Sequence, residues 1–249
     1  MTLVKICGIT NIEDALACVE LGADMLGFIF ADCSPRRVDV ETAAGIVEAV
    51  RTSPRASTEI SMLGFTSATA QPPHPNPLPQ ERGSCSPAPI PHPLFVGVFT
   101  EQSDDIPSIA QECDLSLIQL HGSQSDEFAK SIGEERVIRV SRVRDEFSID
   151  YLAEYPSAAY YMLDTYKKGM AGGTGETFDW SLAVLARSLL KKPIILSGGL
   201  NPGNVFDAVR AVRPYGVDVS SGVEISPGRK DIAKVKEFID HVREADGAA

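Results

Sequence analysis

The residues best suited to chemistry stand at the ends of short apolar runs. Cys7 lies near the end of the run Leu3–Ile9, and Asp164 follows the run Tyr160–Leu163. A thiol and a carboxyl group in one site could move protons as a base and an acid. Neither is decisive alone. A lone Cys is more often a small buried apolar residue, and an Asp after a strand can also cap a helix or bind a metal.

Two glycine-containing segments late in the chain have the composition of phosphate loops. Gly198 and Gly199 follow one apolar run, and Ser221 and Gly222 follow the next. Glycine lets backbone N–H groups converge on an anion beside a helix N-terminus. One such loop is weak evidence because glycine also serves tight turns, but two after consecutive strands predict a phosphate site.

Further polar residues surround these positions. The glycine-rich stretch 167–177 follows Asp164 and predicts a lid over a site, and its Gly173 is assigned to phosphate binding. Arg36 and Arg37 follow the second apolar run, where an arginine could hold a carboxylate or a phosphate. The pattern alone does not show whether Arg36 or Arg37 would hold the anion. An arginine after a strand is also more often a solvated surface residue than a ligand-binding one.

The apolar runs alternate with amphipathic segments of helical length, eight of each. This alternation predicts a parallel sheet with helical crossovers, and eight units in 249 residues predict a (β/α)8 TIM barrel in one domain. An open doubly wound sheet is the alternative. The segment 52–93, between the second helix and the third strand, holds 10 of the 17 prolines and predicts an inserted solvated loop, with a ligand for a proline-binding module as the alternative.

Composition excludes several classes of protein. The net charge of −11 argues against nucleic acid or an anionic membrane as a partner. The five cysteines and four histidines are scattered, so we expect neither a zinc site nor a disulfide framework. No signal peptide or stretch of about 20 apolar residues is present, which predicts a cytoplasmic protein.

Taken in order, the motifs resemble those of phosphoribosylanthranilate isomerases of tryptophan biosynthesis. The resemblance rests on VKICGIT at 4–10, SPR at 34–36, IQLHG at 118–122, LDT at 163–165, GGTGETFDW at 172–180, LSGGLNP at 196–202 and VDVSSGVE at 217–224. It covers the chain except 52–93, and the insertion is the one clear departure from the family pattern.

The resemblance implies an Amadori rearrangement of a phosphorylated small-molecule substrate, with no metal or organic cofactor. It implies Cys7 as the general base and Asp164 as the general acid. Arg36 would hold the anthranilate carboxylate, with Gln119 and His121 also in substrate binding. We expect a monomer or homodimer. Rival hypotheses are another phosphosugar barrel, such as the histidine-pathway isomerase or a metal-dependent epimerase, and a non-catalytic phosphate-ligand binder.

Strand alternation adds an expectation about the barrel interior. Lys5 and Cys7 share one face of the first strand, and Asp218 faces inward on the eighth. The first and eighth strands are neighbours in a closed barrel, and an isolated buried charge is costly, so Lys5 and Asp218 should pair. Such a pair beneath Cys7 is expected to lower the pKa of the thiol. The alternative is that one of the two charges stays solvated at the lower mouth.

Overall fold

The computed structural model of the chain describes residues 1–53, 93–143, 147–165 and 179–248. Eight parallel strands close into a barrel in chain order, β1 to β8. Their bounds are β1 Leu3–Cys7, β2 Met25–Ile29, β3 Leu94–Phe99, β4 Leu117–Leu120, β5 Val137–Val143, β6 Tyr160–Thr165, β7 Ile194–Leu196 and β8 Gly216–Val219. A short antiparallel hairpin follows, with β9 Glu224–Ser226 and β10 Arg229–Lys230.

Helices in the described ranges form the outer layer. They are α1 Ile12–Glu20, α2 Val40–Arg51, α3 Ile106–Glu112, α4 Asp126–Ile132, α5 Phe147–Ala153, α6 Trp180–Leu189, α7 Val205–Val212 and α8 Ile232–Gly247. Side-chain caps set several of their starts, as where Asn11 accepts a hydrogen bond from Asp14 N and begins α1. No described helix has the length and apolar character needed to cross a membrane.

Alternation along the strands separates two apolar layers. Val4 and Ile6 pack in the large cluster between strands and helices, while Met25, Val96 and Met162 fill the interior. Val4 and Ile6 face the helix layer, where they are buried. Because side chains alternate along a strand, Lys5 and Cys7 therefore face the barrel interior. Polar side chains at the upper ends of the strands therefore converge on one mouth.

The predicted barrel is confirmed, but β1 ends at Cys7 and not at the expected Ile9, and β4 begins at Leu117 and not at Leu115. Strand β5 was expected to end at Val140, but it continues to Val143 and so carries three more residues. The hairpin β9–β10 was not anticipated, because its five residues are too few to give a strand pattern. Most of the Pro-rich segment 52–93 lies outside the described residues, so the inserted loop stays a prediction; α2 ends at Arg51 and β3 begins at Leu94.

Candidate active site

A cavity of about 320 Å³ opens at the carboxyl ends of the barrel strands. This is the end at which TIM barrels bind their ligands, and the volume suits a small ligand. The predicted site residues that line it are Cys7, Arg36, Gln119, His121, Asp164, Gly198, Gly199, Ser221 and Gly222. Gly173 lies outside the described residues.

A buried ion pair lies at the cavity floor, where Asp218 is one of the lining residues. Lys5 Nζ is 2.6 Å from Asp218 Oδ1, and both side chains are buried, which confirms the expected pair. The Ser197 hydroxyl donates to the other carboxylate oxygen, Oδ2, at 2.8 Å. Ser197 starts the glycine loop after β7, so the ion pair connects that loop to the strand that carries Cys7.

The expected acidification of Cys7 is wrong in its net direction. Burial raises the pKa of the thiol, and Lys5 opposes this effect without cancelling it. Lys5 itself stays charged: burial lowers its pKa, but Asp218 and Cys7 together outweigh burial and hold the pKa above its ordinary value. Cys7 and Lys5 have room for their side chains because residue 27 of β2 is a glycine. A Cβ at Gly27 would lie 2.8 Å from Cys7 Sγ and 3.0 Å from Lys5 Nζ.

Asp164 lies across the cavity from Cys7, at the end of β6. Its Oδ1 accepts a hydrogen bond from Thr165 N at 2.8 Å, and its Oδ2 is 3.3 Å from His121 Nε2. The loop after β7 comes very close to it. Gly198 has φ +85°, and a Cβ there would lie 2.3 Å from Thr165 N and 2.9 Å from Asp164 Oδ1. Only glycine fits this turn, which keeps the carboxyl group beside the loop.

Arg36 is held in place before any ligand arrives. Its Nε and Nη2 donate to the Glu224 carboxylate, the latter at 2.7 Å, in a two-pronged contact. Lys230, which is buried, donates to Glu224 Oε1 at 2.8 Å and to the backbone oxygen of Cys7 at 2.6 Å. The same lysine therefore joins the strand of the thiol to the carboxylate that positions Arg36. Arg37 instead pairs with the exposed Asp32.

Residues on β4 and β5 form the other wall. Gln119 is buried, and its Oε1 has no hydrogen-bond partner among the described residues. The buried Arg139 faces the helix layer, where it donates to Gly122 O at 2.7 Å and to Gln124 Oε1 at 3.2 Å. These bonds fix the loop that begins at His121.

Comparison with known proteins decides the family. The family model for N-(5′-phosphoribosyl)anthranilate (PRA) isomerase matches residues 84–241, more than half of the chain. This chain belongs to the PRA isomerase family. It is therefore an isomerase of tryptophan biosynthesis that acts on PRA.

Individual PRA isomerases agree along the whole length. The enzyme of Geotalea uraniireducens is 43% identical over 244 residues, which is 98% of this chain and 99% of the relative. The crystal structure of the Thermotoga maritima enzyme has a TM-score of 0.76 at 36% identity, covering 98% of this chain and 100% of that one. A PRA isomerase in complex with reduced 1-(o-carboxyphenylamino)-1-deoxyribulose 5-phosphate has a TM-score of 0.73 at 34% identity, with coverage of 98% and 100%.

Three site residues were missed by reasoning from the sequence. Glu224 lies within a motif that resembles the PRA isomerases, but nothing in the sequence connects it to Arg36, which is 188 positions away. Lys230 lies in another stretch that resembles the PRA isomerases, SPGRKD at 226–231, but a lysine in a short polar segment usually lies in solvent, so it was given no role. Arg142 was overlooked because β5 was predicted to end at Val140. The alternation of Arg142 with the apolar Val143 was the sequence signal that the strand continues.

Proposed function

We propose that PRA binds with its phosphate at the loops after β7 and β8. The backbone N–H groups around Gly198, Gly199, Ser221 and Gly222 support this assignment, because such groups bind anions without a fixed positive charge. Arg36 binds the anthranilate carboxylate. Glu224 occupies its Nε and Nη2, and Nη1 retains hydrogens for a second carboxylate. Gln119 and His121 contact the sugar.

The first chemical step opens the furanose ring. Asp164, in its protonated form, donates its proton to the ring oxygen as the C1′–O bond breaks. The nitrogen lone pair forms the C1′=N bond, which leaves a protonated Schiff base. General acid catalysis of this kind contributes about 10²–10⁴-fold.

The second step removes the proton from C2′. The positive nitrogen makes this proton acidic, and the Cys7 thiolate takes it. The C–H electrons form the C1′–C2′ double bond, and the C=N electrons return to nitrogen. The enolamine then takes up a proton at C1′ while its 2′-hydroxyl loses a proton to solvent and the C2′=O bond forms, which gives the ketosamine. Lys5 supports the thiolate as the nearest cation, against the effect of burial.

One observation carries this proposal: a thiol and a carboxyl group line the same cavity as two glycine-containing loops. The assay follows the loss of PRA fluorescence upon turnover. Conversion of PRA supports the proposal. The same assay on Cys7→Ala and Asp164→Ala tests the two proposed roles, and near-native turnover in either folded variant would contradict the role of that residue.

The remaining features of the proposal concern surroundings and partners. The substrate is a small phosphorylated molecule, and nucleic acid and membranes are not partners, as the net charge of −11 supports. The reaction needs no metal or organic cofactor, since acid and base groups suffice for every proton transfer. The protein works in the cytoplasm as a monomer or homodimer.

A further inference from the structure

Arg142 projects into the cavity from the end of β5. It alternates with Ser141 and Val143, which are buried on the opposite face of the strand, and it is itself exposed and lines the cavity. None of the steps above uses it. An exposed arginine on the inner face of a barrel mouth can contact whatever the cavity holds.

The positively charged side chains described around this mouth differ in whether they already have a carboxylate partner. Lys5 lies 2.6 Å from Asp218, Lys230 lies 2.8 Å from Glu224, and Arg36 shares that carboxylate. Among the described residues Arg142 makes one hydrogen bond, from Nε to His121 Nε2 at 3.4 Å. Its two terminal nitrogens have no partner in that part of the chain. They form the planar edge that suits a carboxylate.

The position of Arg142 relative to Asp164 indicates which group of the substrate it meets. The two residues are direct partners in the register of β5 and β6. Asp164 protonates the ring oxygen, which is bonded to C1′, and C1′ carries the aryl nitrogen. The carboxylate of anthranilate is ortho to that nitrogen. A side chain next to Asp164 is therefore only a few bonds from the carboxylate.

We propose that Arg142 is a second cationic contact for the aryl carboxylate and so determines specificity for substrates that carry it. This proposal rests on the proposed function, in which Asp164 is the acid. Arg36 approaches the carboxylate from the β1–β2 side and Arg142 from the β5 side. A carboxylate held by two guanidinium groups discriminates strongly against an analogue that lacks it, because the cations would then remain unpaired.

The test compares two ligands on three variants. Reduced 1-(o-carboxyphenylamino)-1-deoxyribulose 5-phosphate and its counterpart without the carboxyl group are titrated calorimetrically into wild type, Arg142→Met and Arg142→Lys. Met keeps the apolar stem and removes the charge. We expect Arg142→Met to weaken the carboxylate ligand about tenfold and to leave the other ligand unchanged, with Arg142→Lys in between. The KM for PRA should rise by a similar factor, with kcat little changed.

Arg37→Met is the matched control, because Arg37 is an exposed arginine whose partner is the exposed Asp32. It should alter neither dissociation constant. Equal weakening of both ligands by Arg142→Met, or no weakening of either, would overturn the proposal. If wild type fails to convert PRA but Arg142→Met still weakens only the carboxylate ligand, the proposed function fails and the role of Arg142 stands.

Discussion

The two sides of the cavity are built in different ways. On the closed side, at the ends of β7, β8 and β1, buried charges meet at 2.6–2.8 Å. The closed side comprises Lys5, Ser197, Asp218, Glu224 and Lys230. On the open side, at the ends of β4 to β6, side chains approach one another at 3.3–3.4 Å. Each side also has one buried side-chain oxygen without a partner among the described residues, Gln119 Oε1 on the open side and Ser220 Oγ on the closed side. The open side comprises Gln119, His121, Arg142 and Asp164.

This difference indicates that the two sides of the cavity have different roles. The charged groups of the closed side are paired within the protein, so they can hold the thiol and the glycine loop after β7 in position before a ligand binds. The open side leaves donors and acceptors for the substrate to complete. Changes on the closed side should therefore lower stability as well as activity, whereas changes on the open side should lower binding or turnover alone.

The largest loss of stability is expected from Asp218→Ala. The change leaves Lys5 as an unpaired buried cation, so the free energy of unfolding should fall by roughly 3–5 kcal/mol, with lower activity. Urea unfolding measures the change. Ser197→Ala is the control, since it removes one hydrogen bond to Asp218 and should cost about 1 kcal/mol. Equal effects of the two substitutions would show that the closed side does not depend on the ion pair.

Glu224→Gln should change how stability depends on pH. Burial raises the pKa of Glu224, but the hydrogen bonds from Arg36 and Lys230 outweigh burial and hold the pKa below its usual range. Its ionised form therefore stabilises the fold above the unfolded-state pKa of about 4.3, and this stability is lost as the pH falls through the lower folded-state pKa.

The measurement for Glu224 is the free energy of unfolding between neutral pH and about pH 3. Wild type should lose more stability on acidification than Glu224→Gln. Asp39, Asp126 and Asp179 also have lowered pKa values and are present in both proteins, so the difference between the two curves reports Glu224. Parallel curves would mean that the Glu224 cluster adds nothing.

Much of the barrel was predictable because strand and helix periods differ, and the run from Val40 to Arg51 was bounded correctly. Lys5 and Asp218 could be paired from alternation and barrel closure alone. The effect on Cys7 could not, because the balance between burial and a nearby cation depends on three-dimensional distances. The cluster of Arg36, Glu224 and Lys230 was likewise beyond sequence reasoning, since it depends on where a short hairpin folds back.

Arg36 lies at the boundary between the closed side and the open side of the cavity. In the proposed mode of binding, Arg36 contacts the anthranilate carboxylate before the transition state, so Arg36→Ala should raise the KM for PRA by about tenfold, with a smaller decrease in kcat. Steady-state kinetics with Arg37→Ala as the control tests this. A larger effect of Arg37→Ala would transfer the role to that residue.

The smallest effect on stability is expected on the open side, from Gln119→Leu. The substitution removes a buried oxygen that has no partner among the described residues, so the free energy of unfolding should change by less than about 1 kcal/mol or rise. The KM for PRA should nevertheless increase. A loss of stability comparable to that of Asp218→Ala would contradict the division between the two sides.

The most direct test of the central claim is the kcat for PRA in Cys7→Ala and Asp164→Ala, measured beside the free energy of unfolding. Each substitution removes one half of the proposed acid–base pair, so each should lower kcat by about 10²–10⁴-fold while the protein remains folded. Near-native turnover in either folded variant would contradict the role assigned to that residue and the mechanism built on it.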